Sequence, residues 1–97
     1  MFEVKFTDDA KADLRYFAQA RQVGILDGIE QQLRHQPMVE TKKRKRLREN
    51  PLASYELRLD DVRVFYNLYE DEGVVDIIAI GWKEHNELFI KGKQVIL

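Results

Sequence analysis

With 97 residues, 44% of them hydrophobic and 10% aromatic, the chain has apolar material for a single core layer between helices and a sheet, and too much for a disordered tail. It contains no cysteine, which excludes disulfides, thiolate metal sites and cysteine nucleophiles and fits a reducing compartment. The formal net charge of −1 argues, as an average, against a nucleic-acid partner, yet Lys42, Lys43, Arg44, Lys45, Arg46 and Arg48 crowd one short segment while Glu70, Asp71, Glu72 and Asp76 crowd another.

The opening MFEVKFTDDA lacks the basic start and apolar run of a secretory signal, and no apolar stretch approaches the ~18 residues of a membrane span. A cytoplasmic protein with no membrane contact is expected, folded as one domain over 1–97. Phe2, Val4 and Phe6 alternate with Glu3 and Lys5, predicting a half-buried strand over 2–6. Thr7, Asp8 and Asp9 then supply a cap oxygen and acidic groups for the free N–H groups of a helix start. Ala10, Leu14 and Phe17, followed by Ile25, Ile29 and Leu33, recur at spacings of three and four. They predict two helices, or one broken near Arg21–Gly24, with Pro37 stopping the second.

Residues 38–53 are basic and turn-like, with Asn50-Pro51 as a turn, Leu47 as a core residue and room for a short edge strand. Tyr55, Leu57 and Leu59 alternate with Glu56, Arg58 and Asp60, and after Asp61 the residues Val62, Val64, Tyr66 and Leu68 alternate with Arg63, Phe65 and Asn67, which predicts a hairpin. Glu70 to Gly73 makes the next turn, and Val74 to Ile80 is nearly all apolar, as a strand covered on both faces would be. Lys83 to Phe89 reads as a short helix or irregular segment, and Val95–Leu97 as an apolar end that adds an edge strand. The order of elements gives an α+β fold with the helices on one face.

In order and spacing these segments resemble the RelE/ParE toxin–antitoxin superfamily along almost the whole chain. VKFTDDAKADLRYF is similar to the family's opening strand and helix with its D-L pair. SYELRLDDVRVFYNLYEDEGVVDIIAIGWKEHNELF is similar to its strand hairpin with an arginine, central apolar strand, glycine, basic residue and closing aromatic. The resemblance implies an N-terminal strand and helical hairpin packed on a three- to four-stranded antiparallel sheet. It also implies a type II toxin silenced by a cognate antitoxin. In the RelE branch such a toxin is a metal-independent endoribonuclease, without cofactor, that cuts mRNA on the ribosome and inhibits translation. The ParE branch instead poisons DNA gyrase, and a homologue that only binds its antitoxin is a third reading. A shared fold does not choose among them.

RNA cleavage without a metal needs an aligned 2′-hydroxyl, a group to take its proton and cations around the phosphate. Arg63 matches the family's strand arginine, the alternative being a solvated arginine paired with Asp60 or Asp61. Arg58 matches a second basic position, and Lys83, two residues after Gly81, matches the basic residue ending the central strand. Glu56 stands where the RelE pattern has a lysine. It is read either as a general base or as a salt-bridge partner of Arg58 or Lys45. Phe89 occupies the place of a family tyrosine or histidine and has no proton to give, which leaves His85 as the nearby acid or base. Lys42, Lys43, Arg44, Lys45, Arg46 and Arg48 are expected to track the RNA backbone, or to meet an acidic antitoxin. Trp82 and Phe89 are candidates for stacking on a base, with core or antitoxin-contact roles as alternatives. His35 is assigned to capping a helix end.

Overall fold

The computed structural model describes all residues from Met1 to Leu97. Strand β1 (Glu3–Phe6) leads into helix α1 (Asp8–Leu14) and helix α2 (Gln19–Leu33), after which come β2 (Arg44–Arg46), β3 (Tyr55–Leu59), β4 (Val62–Tyr69), β5 (Val74–Glu84), β6 (Glu87–Ile90) and β7 (Lys93–Val95). All seven strands join one sheet in the order β2-β3-β4-β5-β6-β7, with β1 also on β5. The expected α+β architecture is present, on a sheet larger than three or four strands and with one parallel pair.

The long strand β5 organises the sheet. Along one edge it pairs with β4 from Val74 to Trp82. Along the other it takes β1 in parallel over Val74–Ile77, then β6 antiparallel over Trp82–Glu84. Strand β4 therefore carries β3, and β3 carries β2, with Arg58 opposite Arg63 and Lys45 opposite Glu56.

Period-two alternation gives each strand an inner and an outer side. Leu57, Val62, Val64, Tyr66, Val75, Ile77 and Ile80 face Ala10, Phe17, Ile25, Ile29 and Leu33 of the helices and form the main core. On the opposite face Phe65, Ala79, Leu88 and Ala53 make a smaller cluster, joined by Leu47, Leu52, Ile78, Ile90 and Val95. Both faces of the central strands are thus covered, which explains why Val74–Ile80 is apolar on both sides.

Thr7 caps α1 as expected, its Oγ1 accepting from the Ala10 N–H at 3.1 Å and donating to the Ile78 carbonyl at 3.1 Å. The break between the helices does not fall at Arg21–Gly24. It lies at residues 15–18, where the N–H groups of Arg15, Tyr16 and Phe17 tighten onto carbonyls three residues back. The turn swings Phe17 into the core, and the Gln22 amide bonds its carbonyl at 2.9 Å. Gly24 is helical, and a side chain there would meet nothing, so no close approach requires a glycine or a break at that point. At the far end of α2 the carbonyl of Gln32 accepts from the Arg44 guanidinium, whereas His35, expected to cap this end, is exposed; Arg34 pairs with Glu30 and bonds the Phe2 carbonyl at 3.1 Å.

Lys83–Phe89 is neither helical nor irregular. Strand β5 runs on to Glu84, and His85 and Asn86, both with positive φ (51° and 67°), turn the chain directly into β6. Two successive left-handed residues form the tight turn whose twist suits a hairpin, and asparagine and histidine tolerate that conformation better than most residues. Gly81 permits the next step. A Cβ there would fall against the Phe89 carbonyl oxygen and 2.8 Å from Ile90 Cγ1, so the hairpin closes over β5 only where a side chain is missing.

Candidate functional site

The strand register gathers the strand-borne candidates on the face away from the helices. Arg58 and Arg63 are cross-strand partners, Arg63 is opposite Gly81, and Lys83 follows two residues further along β5 on the same side. Glu56, two residues before Arg58, shares that side. One of its carboxylate oxygens lies 3.2 Å from Arg58 Nε and 3.3 Å from Arg63 Nε. Glu56 and Arg63 are both largely shielded, at 10% and 13% side-chain exposure, whereas Arg58 is at 43%.

A buried carboxylate between two guanidinium groups offsets part of the desolvation of both cations. Arg63 is committed further. Its Nη1 donates to the carbonyls of Asp60 at 2.6 Å and Val62 at 3.0 Å, and its buried Nε, though near Glu56, is not aligned to donate. The carboxylates of Asp60 and Asp61 take no part in this. Asp61 pairs instead with Arg21 of α2 at 2.6 Å, and that guanidinium holds the Asp61 carboxyl below the usual carboxylate range.

Beside this triad lies an open cleft of about 320 Å3. Glu56, Lys83, Asn86, Glu87 and Gln94 contribute its polar groups, and Leu47, Phe65, Leu88 and Val95 are among its apolar walls. No three histidine or carboxylate side chains converge as a metal site would need.

The basic run divides by the same alternation. Lys45 is opposite Glu56 and shares the face of Arg58 and Arg63, and Lys43, whose carbonyl accepts from Arg58 N–H, stands two residues before it. Arg44 and Arg46 point to the helix side. The Arg44 guanidinium bonds the carbonyls of Gln32 at 2.7 Å and Val39 at 2.9 Å, tying the end of α2 to β2. Arg46 lies over the Tyr55 ring, 5.4 Å from its centre, and donates to the Tyr55 hydroxyl. Both are structural in the free protein, while Lys42 and Arg48 remain exposed and form no salt bridge.

Three candidates stand apart from the cluster. Trp82 and Phe89 stack on each other, with ring centres 6.0 Å apart, on the helix side where Trp82 also meets Phe17 edge-on. They face away from Arg63 because Trp82 and Lys83 are consecutive in a strand. His85 is at the exposed tip of the β5–β6 turn. Sequence reasoning gave no part to Asp13 and Lys91, which form an ion pair across 78 residues. Its one local sign is a carboxylate on the stripe of Ala10 and Phe17, and Asp13 is indeed 1% exposed.

A model of the ParE toxin of type II toxin–antitoxin systems, parDE, matches residues 4–86. Among solved structures, the chain is similar to the RelBE2 toxin–antitoxin complex of Mycobacterium tuberculosis, with 20% identity and a TM-score of 0.73 over 84% of this chain and 98% of that one. It is also similar to the archaeal RelE–RelB complex of Pyrococcus horikoshii, with 21% identity and a TM-score of 0.69 over 87% of this chain and 97% of that one. No protein with a curated description matches the chain in sequence. At such identities the structural likeness speaks for the fold alone.

Proposed function

The chain belongs to the ParE toxin family of type II toxin–antitoxin systems, within the RelE/ParE superfamily, and from that premise we propose that it is an endoribonuclease that cuts mRNA on the ribosome and is silenced by a cognate antitoxin. The observation that carries this reading is the Glu56 carboxylate, held between Arg58 and Arg63 on the wall of a cleft that Lys83 also lines. A carboxylate among cations beside an open cleft is the equipment for transesterification of RNA.

In this reading the scissile phosphate draws the two guanidinium groups from Glu56 onto its non-bridging oxygens. The freed carboxylate takes the 2′-hydroxyl proton, and the 2′-oxygen forms a bond to phosphorus as the bond to the 5′-oxygen breaks. The products are a 2′,3′-cyclic phosphate and a 5′-hydroxyl that receives its proton from water. Lys83 offsets charge on the phosphate, and Lys43 and Lys45 guide the strand along the same face. His85, Trp82 and Phe89 have no task in this scheme.

The test is mapping of mRNA ends on programmed ribosomes incubated with the purified protein. Glu56→Gln and Arg63→Ala should each slow cutting by at least about 100-fold. Undiminished cutting by both variants would remove the assignment.

A second reading, inhibition of DNA gyrase, is favoured by the match to the ParE toxin model over residues 4–86 and by one feature of the site. Arg63 Nη1 is already engaged by the carbonyls of Asp60 and Val62, and its Nε is buried against Glu56. A supercoiling assay run in parallel separates the two. Inhibition without RNA cutting selects gyrase, and neither effect selects a protein that only binds its antitoxin.

A further inference from the structure

Two open clefts, of about 320 and 640 Å3, flank β7, and Gln94 and Val95 line both. The smaller contains Glu56 and Lys83, and the segment Gln94–Leu97 forms its opposite wall. Little holds that wall in place. Strand β7 pairs with β6 over three residues and has no strand on its other edge. Val95 is its one plug, packed against the small cluster of Phe65, Ala79 and Leu88. Beyond it Ile96 is 87% exposed and Leu97 40%, although both are apolar.

The base of the hairpin is, by contrast, fixed. Lys91 reaches the buried Asp13 carboxylate, whose other oxygen accepts the Ile80 N–H at 2.9 Å, and lies 3.5 Å from Asp9. Lys91 and Gly92 are both left-handed, with φ of 54° and 75°, so the chain turns sharply just past the anchor. A short edge strand with one apolar plug opens more readily than the sheet that carries it.

We propose that residues 93–97 form a strap that walls one side of the Glu56–Lys83 cleft and narrows it in the free protein. The Asp13–Lys91 pair fixes its base and Gly92 is its pivot. When the strap lifts, the two clefts become one groove across the sheet, open to a single RNA strand. The identity of that occupant rests on the RNA-cutting reading, whereas the movement rests on the packing of β7.

Three readouts on the full chain test it: hydrogen exchange of the β7 amides, acetylation of the Lys83 amine followed by mass spectrometry, and RNA cutting on ribosomes. In the wild type the Lys93–Val95 amides should exchange well ahead of those of β3, β4 and β5. Val95→Ser should speed β7 exchange and Lys83 acetylation by at least about fivefold and raise the cutting rate. A double variant, Ile96→Ser with Leu97→Ser, removes no buried group and should shift Lys83 acetylation in the same direction if Val95→Ser proves too unstable. If β7 exchanges together with β3–β5, or if Lys83 acetylation is unchanged in both variants, the strap is overturned even if RNA is cut. If Lys83 becomes accessible and no form cuts RNA, the strap stands and the nuclease reading falls.

Discussion

Arg58 and Arg63 face each other across the β3–β4 pair, and their Nε atoms approach the same Glu56 oxygen, at 3.2 and 3.3 Å. Two like charges are thereby held side by side on one sheet face by a single buried carboxylate. Glu56→Gln should destabilise the fold by roughly 1–3 kcal/mol, because the amide keeps the shape and loses the charge that offsets both guanidinium groups. In a domain of this size each kcal/mol lowers Tm by about 4–8 °C, which circular dichroism resolves. Arg58→Ala, at the exposed end of the triad, should change stability by less than about 1 kcal/mol. Equal losses from the two variants would mean that the carboxylate is not the hub.

The basic run should separate into two classes. Lys43→Ala with Lys45→Ala is expected to leave stability within about 0.5 kcal/mol. If RNA is bound on that face, the pair should flatten the plot of log affinity against log salt by about 0.7 per cation removed. Arg44→Ala should instead destabilise by roughly 1–3 kcal/mol, since the Gln32 and Val39 carbonyls lose their donor. Filter binding at several salt concentrations, beside urea melts of each variant, makes the comparison. A salt slope altered by Arg44→Ala at unchanged stability would contradict the division.

Tyr66 is fully buried, and its hydroxyl donates to the Pro37 carbonyl at 2.8 Å. Burial pushes its pKa above the ordinary value near 10, with Tyr55 adding to the rise and Arg44 opposing it. A raised folded-state pKa contributes stability that is complete below the unfolded value and is lost as pH climbs past it. Tyr66→Phe should therefore be about 1–2 kcal/mol less stable than wild type at pH 7. The gap should narrow in alkaline solution beyond pH ~10. Urea midpoints measured from pH 7 upward test the sign, and a gap that widens would refute it.

Gly81→Ala should cost roughly 1–3 kcal/mol, because its methyl group meets the Phe89 backbone oxygen, which cannot rotate away. The damage should be local, seen as faster amide exchange in β6 and β7 with β3 and β4 unchanged. Wild-type exchange throughout would show that the hairpin does not depend on the missing side chain.

Much of the fold was legible because its signals are local. Alternation over residues 55–59 and 62–68 fixes which side chains share a sheet face, so Arg58 and Glu56 could be placed together from sequence alone, and the likeness to the toxin family rests on the same hairpin. The helical stripe through Ala10 and Phe17 located the helices, though not the break between them, since that depends on where Phe17 finds the core. The hairpin at His85-Asn86 was obscured because it lacks the glycine that most often marks a two-residue turn.

What alternation leaves open is partnership. Whether Glu56 meets Arg58, Arg63 or Lys45 depends on strand register, and register is set by packing across the whole sheet. The division of the KKRKRLR run between structure and surface follows from β2 pairing with β3, and the Asp13–Lys91 anchor joins residues 78 apart. Residue types and their period are thus written along the chain, whereas ion pairs between distant segments exist only after the sheet has closed and chosen which charges share a face.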